Sequence, residues 1–321
     1  MRLVFMGTPD FAVPSLVALL EAGHQVLAAL TQPDRPRRRR GGRPEPSPVK
    51  ATAQLHGLEV LQPVRVAEPA IADRLTALAP DTIVVVAYGQ ILPDAILKIP
   101  PRWCINLHAS ILPRYRGAAP VARAIMEGEK VTGMTTMKMD HGLDTGDILL
   151  QKECAIGLTE TAGELAARMA GLGAALLVET LERHAEGRLE PRRQDDRQAT
   201  TAPPLRREDG HIDWSVPAEL VSTRVRACNP WPLAHSLLRG TPVKILRAEP
   251  SFEPVPKLPG SGTPGRIVGC DDRRVLVTCK GGSLLAISEI RFPGGRAISA
   301  RDAVHGRLIR VGEIFAPAPS A

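Results

Sequence analysis

The chain is poor in cysteine, and what it has follows no pairing pattern. Cys104, Cys154, Cys228, Cys270 and Cys279 form an odd set with no C-x-x-C pair, which argues against a disulfide framework and against a zinc knuckle. Reduced thiols in a cytoplasmic protein are the expectation. Long apolar runs are also missing. No stretch nears the roughly 18 residues that a membrane span needs, and Met1-Arg2-Leu3-Val4-Phe5-Met6 runs straight into turn residues, so neither secretion nor insertion is expected. Two further absences remove enzyme classes. Gly7-Thr8-Pro9-Asp10-Phe11 lacks the later glycines that let a pyrophosphate approach a helix, which rejects nicotinamide cofactors. Asn106-Leu107-His108-Ala109-Ser110 lacks the glycines of a nucleophile elbow, so Ser110 makes a weak serine nucleophile. No metal cluster and no internal repeat is visible.

What is present is enough for a sizeable core. At 321 residues and 44% hydrophobic, the chain should make two domains. Its net charge is +7, and the surplus is local: residues 206–321 hold 17 Lys/Arg against 11 Asp/Glu, leaving 24 against 23 in the first 205. The basic C-terminal third suits either a polyanion or plain solvation.

Leu3 to Met6 is a short apolar run ending at a turn, the segment to Glu21 has helical spacing, and Gln25 to Leu30 is a second run, giving strand, helix, strand. The theme returns with a helix over Ile71 to Leu78 and strands over Asp81 to Ala87 and Trp103 to Leu107. Continuous apolar strands are covered on both faces, so a mostly parallel, doubly wound, Rossmann-like α/β sheet is expected. Ligands of such sheets lie beyond the carboxyl ends of the strands, where Gly7, Tyr88-Gly89 and His108 fall. Thr161-x-x-Glu164 reads as a capping box opening a helix with Leu165, Met169, Leu172 and Leu176 as its apolar stripe and Gly187 after its end. The polar residues 189–205 read as a linker along the surface. From 206 to 321, a helix over Val221 to Ala227 and β-type runs over Val243 to Leu246, Arg266 to Val268, Val275 to Thr278 and Leu284 to Ile287 predict a second, smaller β-rich, barrel-like domain. The catalytic domain is then 1–188.

Between Asp34 and Pro48 the chain has no periodicity and no apolar anchor, which predicts a loop mobile when free. Arg35, Arg37, Arg38, Arg39, Arg40 and Arg43 are concentrated there, beside the carboxyl end of the second strand. Arginine suits bidentate phosphate contact, so this loop is a candidate nucleic-acid contact.

Asn106 and His108 end a buried strand, and Asp144 lies further on in a Gly-flanked loop. An amide, an imidazole and a carboxylate together can donate to a developing oxyanion, shuttle a proton and hold the ring in one tautomer, which is the equipment of acyl transfer without a covalent nucleophile. His141 reads as a loop residue and Asp147 as a cap.

The stretches Ile105-Asn106-Leu107-His108-Ala109-Ser110-Ile111-Leu112-Pro113-Arg114-Tyr115-Arg116-Gly117, Thr132-Gly133-Met134-Thr135 and Met139-Asp140-His141-Gly142-Leu143-Asp144-Thr145-Gly146-Asp147 resemble the folate-dependent formyltransferases. Phe5-Met6-Gly7-Thr8-Pro9-Asp10-Phe11-Ala12, Thr31-Gln32-Pro33-Asp34-Arg35-Pro36, Gly210-His211-Ile212-Asp213-Trp214 and Arg226-Ala227-Cys228-Asn229-Pro230-Trp231-Pro232 are similar to the branch acting on charged initiator tRNA. The likeness runs to about residue 315.

That resemblance implies 10-formyltetrahydrofolate as donor, the α-amino group of initiator methionyl-tRNA as acceptor, and no metal. It implies Asn106, His108 and Asp144 as catalytic residues. It also implies a pterin slot lined by Tyr88, Gly89, Gln90, Ile91, Leu92 and by Ser110, Ile111, Leu112, Pro113, whose backbone groups read the ring's edge. The arginine loop would wedge against the end of the acceptor stem and sense a weak first base pair by its low cost of opening, while the basic C-terminal domain holds the backbone. Two departures stand out. Arg37 to Arg40 form an uninterrupted block, and Thr200-Thr201-Ala202-Pro203-Pro204 lacks the aromatic that the family carries there. A monomer is expected, since two domains on one tRNA need no symmetry. The competing expectations are a formyltransferase for a small nucleotide or sugar-nucleotide amine, using the same three residues, and a non-enzymatic RNA-binding protein.

Overall fold

The computed structural model describes residues 1–36, 44–254, 260–271 and 273–316. They divide into two compact units, one of residues 1–120, 131–155 and 166–202, the other of residues 121–130, 156–165 and 203–321.

The first unit is built on a mixed sheet. Its strands are β1 (Arg2–Gly7), β2 (Gln25–Leu30), β3 (Glu59–Leu61), β4 (Thr82–Val86), β5 (Cys104–His108), β6 (Val131–Lys138) and β7 (Ile148–Ala155). Their spatial order is β3-β2-β1-β4-β5-β6-β7. The first five run parallel, because helices cross over between them. Leu3, Val4, Phe5 and Met6 of β1 have no exposed surface, each burial contributing about 1.5–3 kcal/mol.

Strands β6 and β7 are antiparallel additions, and the apolar pattern does not announce them, since Thr132, Gly133, Thr135 and Thr136 interrupt it. The buried threonines are accommodated by hydrogen bonding: Thr135 Oγ1 donates to the Ser110 carbonyl at 2.6 Å, and Thr136 and Thr180 share a 2.8 Å hydroxyl pair.

Helix starts follow local chemistry. Pro48 and Pro69 each occupy a first turn, where a missing N–H costs nothing, and the Ser47 side chain accepts from Lys50 N. The loop that leaves β2 is anchored at both ends. Asp34 Oδ2 receives Lys50 Nζ at 2.6 Å, Asp34 Oδ1 receives Gln62 Nε2 at 2.7 Å, and Arg35–Pro36 pairs with Pro44–Glu45. Arg37 to Arg40 and Arg43 lie outside the described residues.

The second unit is an antiparallel sheet with the helix Ala218–Ala227 packed on it. The strand Ala234–Leu238 pairs with Thr241–Ser251 on one side and with Phe315–Ala316 on the other. A bridge between Arg266 and Ile314 joins the approach to the strand Ile267–Cys270 with that last segment, so the sheet curls back on itself. Its core holds Trp214 stacked on Phe315 at 5.6 Å, the indole N–H donating to Ser236 Oγ at 2.9 Å.

Within this unit the capping box is formed. Thr161 N donates to Glu164 Oε2 at 2.9 Å and Glu164 N donates to Thr161 Oγ1 at 3.3 Å, at the start of the helix Ala162–Ala185. The Thr161 backbone N–H, helped by Arg247, pulls the Glu164 carboxyl down to about 2. A depressed carboxyl contributes stability above its unfolded value, near 4.3, and loses it as pH falls toward 2. Thr161→Ala removes the hydroxyl that caps Glu164 N and should cost about 0.5–2 kcal/mol, whereas Glu164→Gln removes the depressed carboxylate, so its deficit in denaturant unfolding should shrink as pH falls from 5 toward 2.

Candidate active site

Alternation along β5 turns Asn106 and His108 to the same face, opposite Leu107, which packs near Gly173 of the long helix. Both are almost buried, at 9% and 6%. Asp144 comes from the loop between β6 and β7. There it takes a left-handed backbone (φ 55°), which aspartate tolerates better than most residues. Asp140 shapes that loop, accepting from Gly142 N at 3.0 Å and Thr145 Oγ1 at 2.7 Å. Gly146 is required by close approach, since a Cβ there would meet the Lys138 carbonyl oxygen at 1.7 Å.

The three side chains meet. Asp144 Oδ1 lies 3.5 Å from Asn106 Nδ2, and Asp144 Oδ2 lies 3.6 Å from His108 Nδ1. Those separations are long for hydrogen bonds. The short contact on the carboxylate is the Gly117 N–H, 2.8 Å from Oδ2. His108 Nε2 sits 2.9 Å from the Tyr115 carbonyl. A carbonyl only accepts, so Nε2 carries a hydrogen, and Nδ1 is the nitrogen left to gain or lose a proton opposite Asp144. Asn106 thus keeps donor capacity for a third party, and Nδ1 has it only when the ring carries a second proton.

The loop residues singled out from the sequence divide into two groups. Tyr88, Leu92 and Leu112 send their side chains into the core, and burial pushes the Tyr88 phenol up to about 12. The Tyr88 carbonyl receives Thr8 Oγ1 at 3.0 Å and Gln32 Nε2 at 3.2 Å. Gln90 accepts from Val66 N at 2.7 Å, and Ser110 donates to the Arg114 carbonyl at 2.6 Å. Ile91 is left in solvent at 79% and Ile111 is half-buried. Gly89 has φ 88°, and Leu112–Pro113 is a cis bond. A cleft of about 370 Å³ lies at the carboxyl ends of β1, β2 and β4, lined by Thr8, Gln32, Ser47, Tyr88 and Gly89 among others, where open α/β sheets take their ligands. His141 is exposed in its loop. Among the described residues no group of three His, Cys, Asp or Glu is placed to hold a metal ion.

Tyr115, Arg116 and Gly117 belong to the motif that carries the resemblance but receive no role from the sequence, and neither does Gln194. Tyr115 and Gly117 act through backbone atoms, which leave no side-chain signature. Gln194 lies in a polar run without periodicity, yet is buried, and donates to the Asp144 and Gly146 carbonyls.

An amide, an imidazole and a carboxylate brought together on a mixed α/β sheet are equipped for group transfer, and two family models match the chain: formyl transferase over residues 1–181, which includes all three, and the formyl transferase C-terminal domain over residues 204–308. The chain belongs to the formyl transferase family. The methionyl-tRNA formyltransferase of Citrifermentans bemidjiense is 48% identical to it across 98% of this chain and 96% of the relative. That of Heliobacterium modesticaldum is 48% identical across 98% and 100%. In fold it is similar to an N-formyltransferase from Helicobacter canadensis (TM-score 0.66, 18% identity, 90% and 99% covered). It is also similar to the methionyl-tRNA formyltransferase of Clostridium thermocellum (TM-score 0.54, 16% identity, 78% and 93% covered).

Proposed function

We propose that the chain transfers the formyl group of 10-formyltetrahydrofolate to the α-amino group of methionine esterified to initiator tRNA, supporting translation initiation. The observation that carries this reading is the convergence of Asn106, His108 and Asp144 in a chain similar over nearly its whole length to methionyl-tRNA formyltransferases. As the amino nitrogen attacks, charge builds on the formyl oxygen, and the Asn106 amide donates to it from a fixed position, joined by His108 Nδ1 when the ring is protonated. The new C–N bond forms and the bond to the folate N10 breaks. The proton lost by the amine passes to Asp144, directly or through water, and is handed on to the departing N10, so the site ends as it began. A free α-amino group titrates near 7.7–8.0 and an ester neighbour lowers that further, so no strong base is needed. Alignment of two bound substrates supplies much of the rate.

In this reading Tyr88, Gly89, Gln90, Ile91 and Leu92, with Ser110, Ile111, Leu112 and Pro113, form the pterin slot through backbone edges and the apolar faces of Ile91 and Ile111. Arg35, Arg37 to Arg40 and Arg43 meet the acceptor stem. Catalysis belongs to residues 1–188, and the basic residues 206–321 hold the tRNA backbone. The reading puts the chain in the cytoplasm with its tRNA substrate, and as a monomer, since one chain supplies every group named and two domains on one tRNA need no symmetry.

A transfer assay with labelled formyl donor tests the reading. Initiator methionyl-tRNA should be formylated, with elongator tRNA and free nucleotide or sugar-nucleotide amines left untouched. Product on the small amines and none on tRNA would overturn it.

A further inference from the structure

Residues 194–202, polar and without periodicity, lie along the two backbone turns that serve the His108–Asp144 pair. Gln194 is 5% exposed, and its amide is fully used. Nε2 has two hydrogens and two acceptors, the carbonyls of Asp144 at 2.9 Å and Gly146 at 2.7 Å. Oε1 accepts from Arg116 Nε at 3.0 Å and from the Arg116 terminal nitrogen at 2.8 Å. Arg116 is held in turn by Asp196 at 2.8 Å. Its backbone N–H donates to the Thr200 carbonyl at 2.8 Å, and its own carbonyl accepts from Ala202 N at 2.7 Å. Thr200 Oγ1 accepts from Tyr115 N at 2.9 Å.

These bonds converge on two residues in left-handed backbone, Asp144 (φ 55°) and Tyr115 (φ 61°). Such conformations persist only where surrounding contacts over-determine them. Asp144 carries the carboxylate, Tyr115 presents the carbonyl that orients His108 Nε2, and Gly117 next to Arg116 presents the N–H that holds Asp144 Oδ2. One buried Gln–Arg unit therefore fixes the carboxylate from behind and the imidazole through its orienting turn. We infer that Gln194, with Arg116, is a positioning pair for the transfer reaction, setting the separation and angle between Asp144 and His108 Nδ1.

The side-chain type follows from the bonds. Only a primary amide of this length can donate twice to carbonyls while accepting from a guanidinium. Glutamate would face two carbonyl oxygens with a carboxylate, and leucine would deprive both carbonyls of this donor and leave the Arg116 guanidinium to Asp196 alone. Outer groups that orient reacting ones are worth about 10–100-fold, and misplacement by about 1 Å costs about 100-fold.

The inference rests on the catalytic assignment of Asp144 and His108 made above, so the test is a double-mutant cycle. Gln194→Leu should lower single-turnover formyl transfer about 10–100-fold, leave the KM for folate and for charged tRNA nearly unchanged, and shift the pH–rate profile. In an Asp144→Asn background the same change should cost much less, because the carboxylate whose distance from Nδ1 it sets is gone. Gln194→Asn, too short to reach both carbonyls, serves where the leucine variant does not fold. Unchanged turnover and pH profile in folded Gln194 variants, with Asp144→Asn inactive, overturns the positioning role alone. Full additivity of the two losses overturns it as well. Activity retained by Asp144→Asn overturns the assignment beneath it.

Discussion

Asp144→Asn lowers turnover by about 10²–10⁴-fold and leaves the affinity for both substrates nearly unchanged. Asparagine is the clean probe here. It tolerates the left-handed backbone at this position, matches the size of aspartate, and can still accept the Gly117 N–H that lies 2.8 Å from Oδ2. What it loses is charge and the ability to take a proton. The loss therefore falls on the step in which His108 Nδ1, 3.6 Å away, and the attacking amine change protonation. Single-turnover transfer with pre-bound substrates measures that step directly. A variant whose apparent affinities fall while the transfer rate holds would make Asp144 a ligand-binding residue, and the acid–base assignment would go with it.

Replacing Arg37 to Arg40 by glutamine should weaken tRNA binding at low salt and flatten its salt dependence, with folate affinity intact. Each phosphate contact contributes about 0.7–0.9 to the slope of log K against log salt, so losing four makes it shallower by roughly 3. The case rests on composition and placement. Four consecutive arginines follow Asp34 and Arg35, and the loop that carries them is anchored by Lys50 and Gln62 on Asp34 and by the pairing of Arg35–Pro36 with Pro44–Glu45. A loop fixed at its base can present charge without losing all of its ordering entropy on binding. Titrations of tRNA and of folate between 50 and 200 mM salt separate the outcomes: equal losses for both ligands would mean that the arginines hold the fold rather than the RNA.

How much of this was legible in the sequence depended on whether the signal was local. The strands Gln25–Leu30 and Val275–Thr278 were read to the residue, because short apolar runs between turn residues have few alternatives. The capping box at Thr161 and Glu164 was equally plain, being chemistry between residues three apart. The strands Val131–Lys138 and Ile148–Ala155 were not read, since threonines and charges hide their period and only pairing, the first with β5 and the second with the first, makes them strands. At the site, Asn106 and His108 share a face by strand geometry alone. The approach of Asp144 follows from a loop's path, which no spacing encodes. Tyr115 and Gly117 contribute a carbonyl and an N–H that every residue possesses, and Gln194 is one glutamine in a polar run. Their roles arise from where the backbone goes.

The reversal of β6 against its neighbour has a consequence for how such chemistry can vary. Lys138 stands opposite Ile105 and Thr135 opposite His108, so the hairpin that follows Lys138 begins beside the early half of the strand and must climb across its face to deliver Asp144. The acid thus rides outside the ladder, held by the approach of Gly146 to Lys138 and by Gln194 rather than by strand pairing. A one-residue slip inside Cys104–His108 would instead turn the amide and the ring to the wrong side of the sheet together. A change in the hairpin moves the acid alone, whereas a slip in the strand moves the other two groups at once.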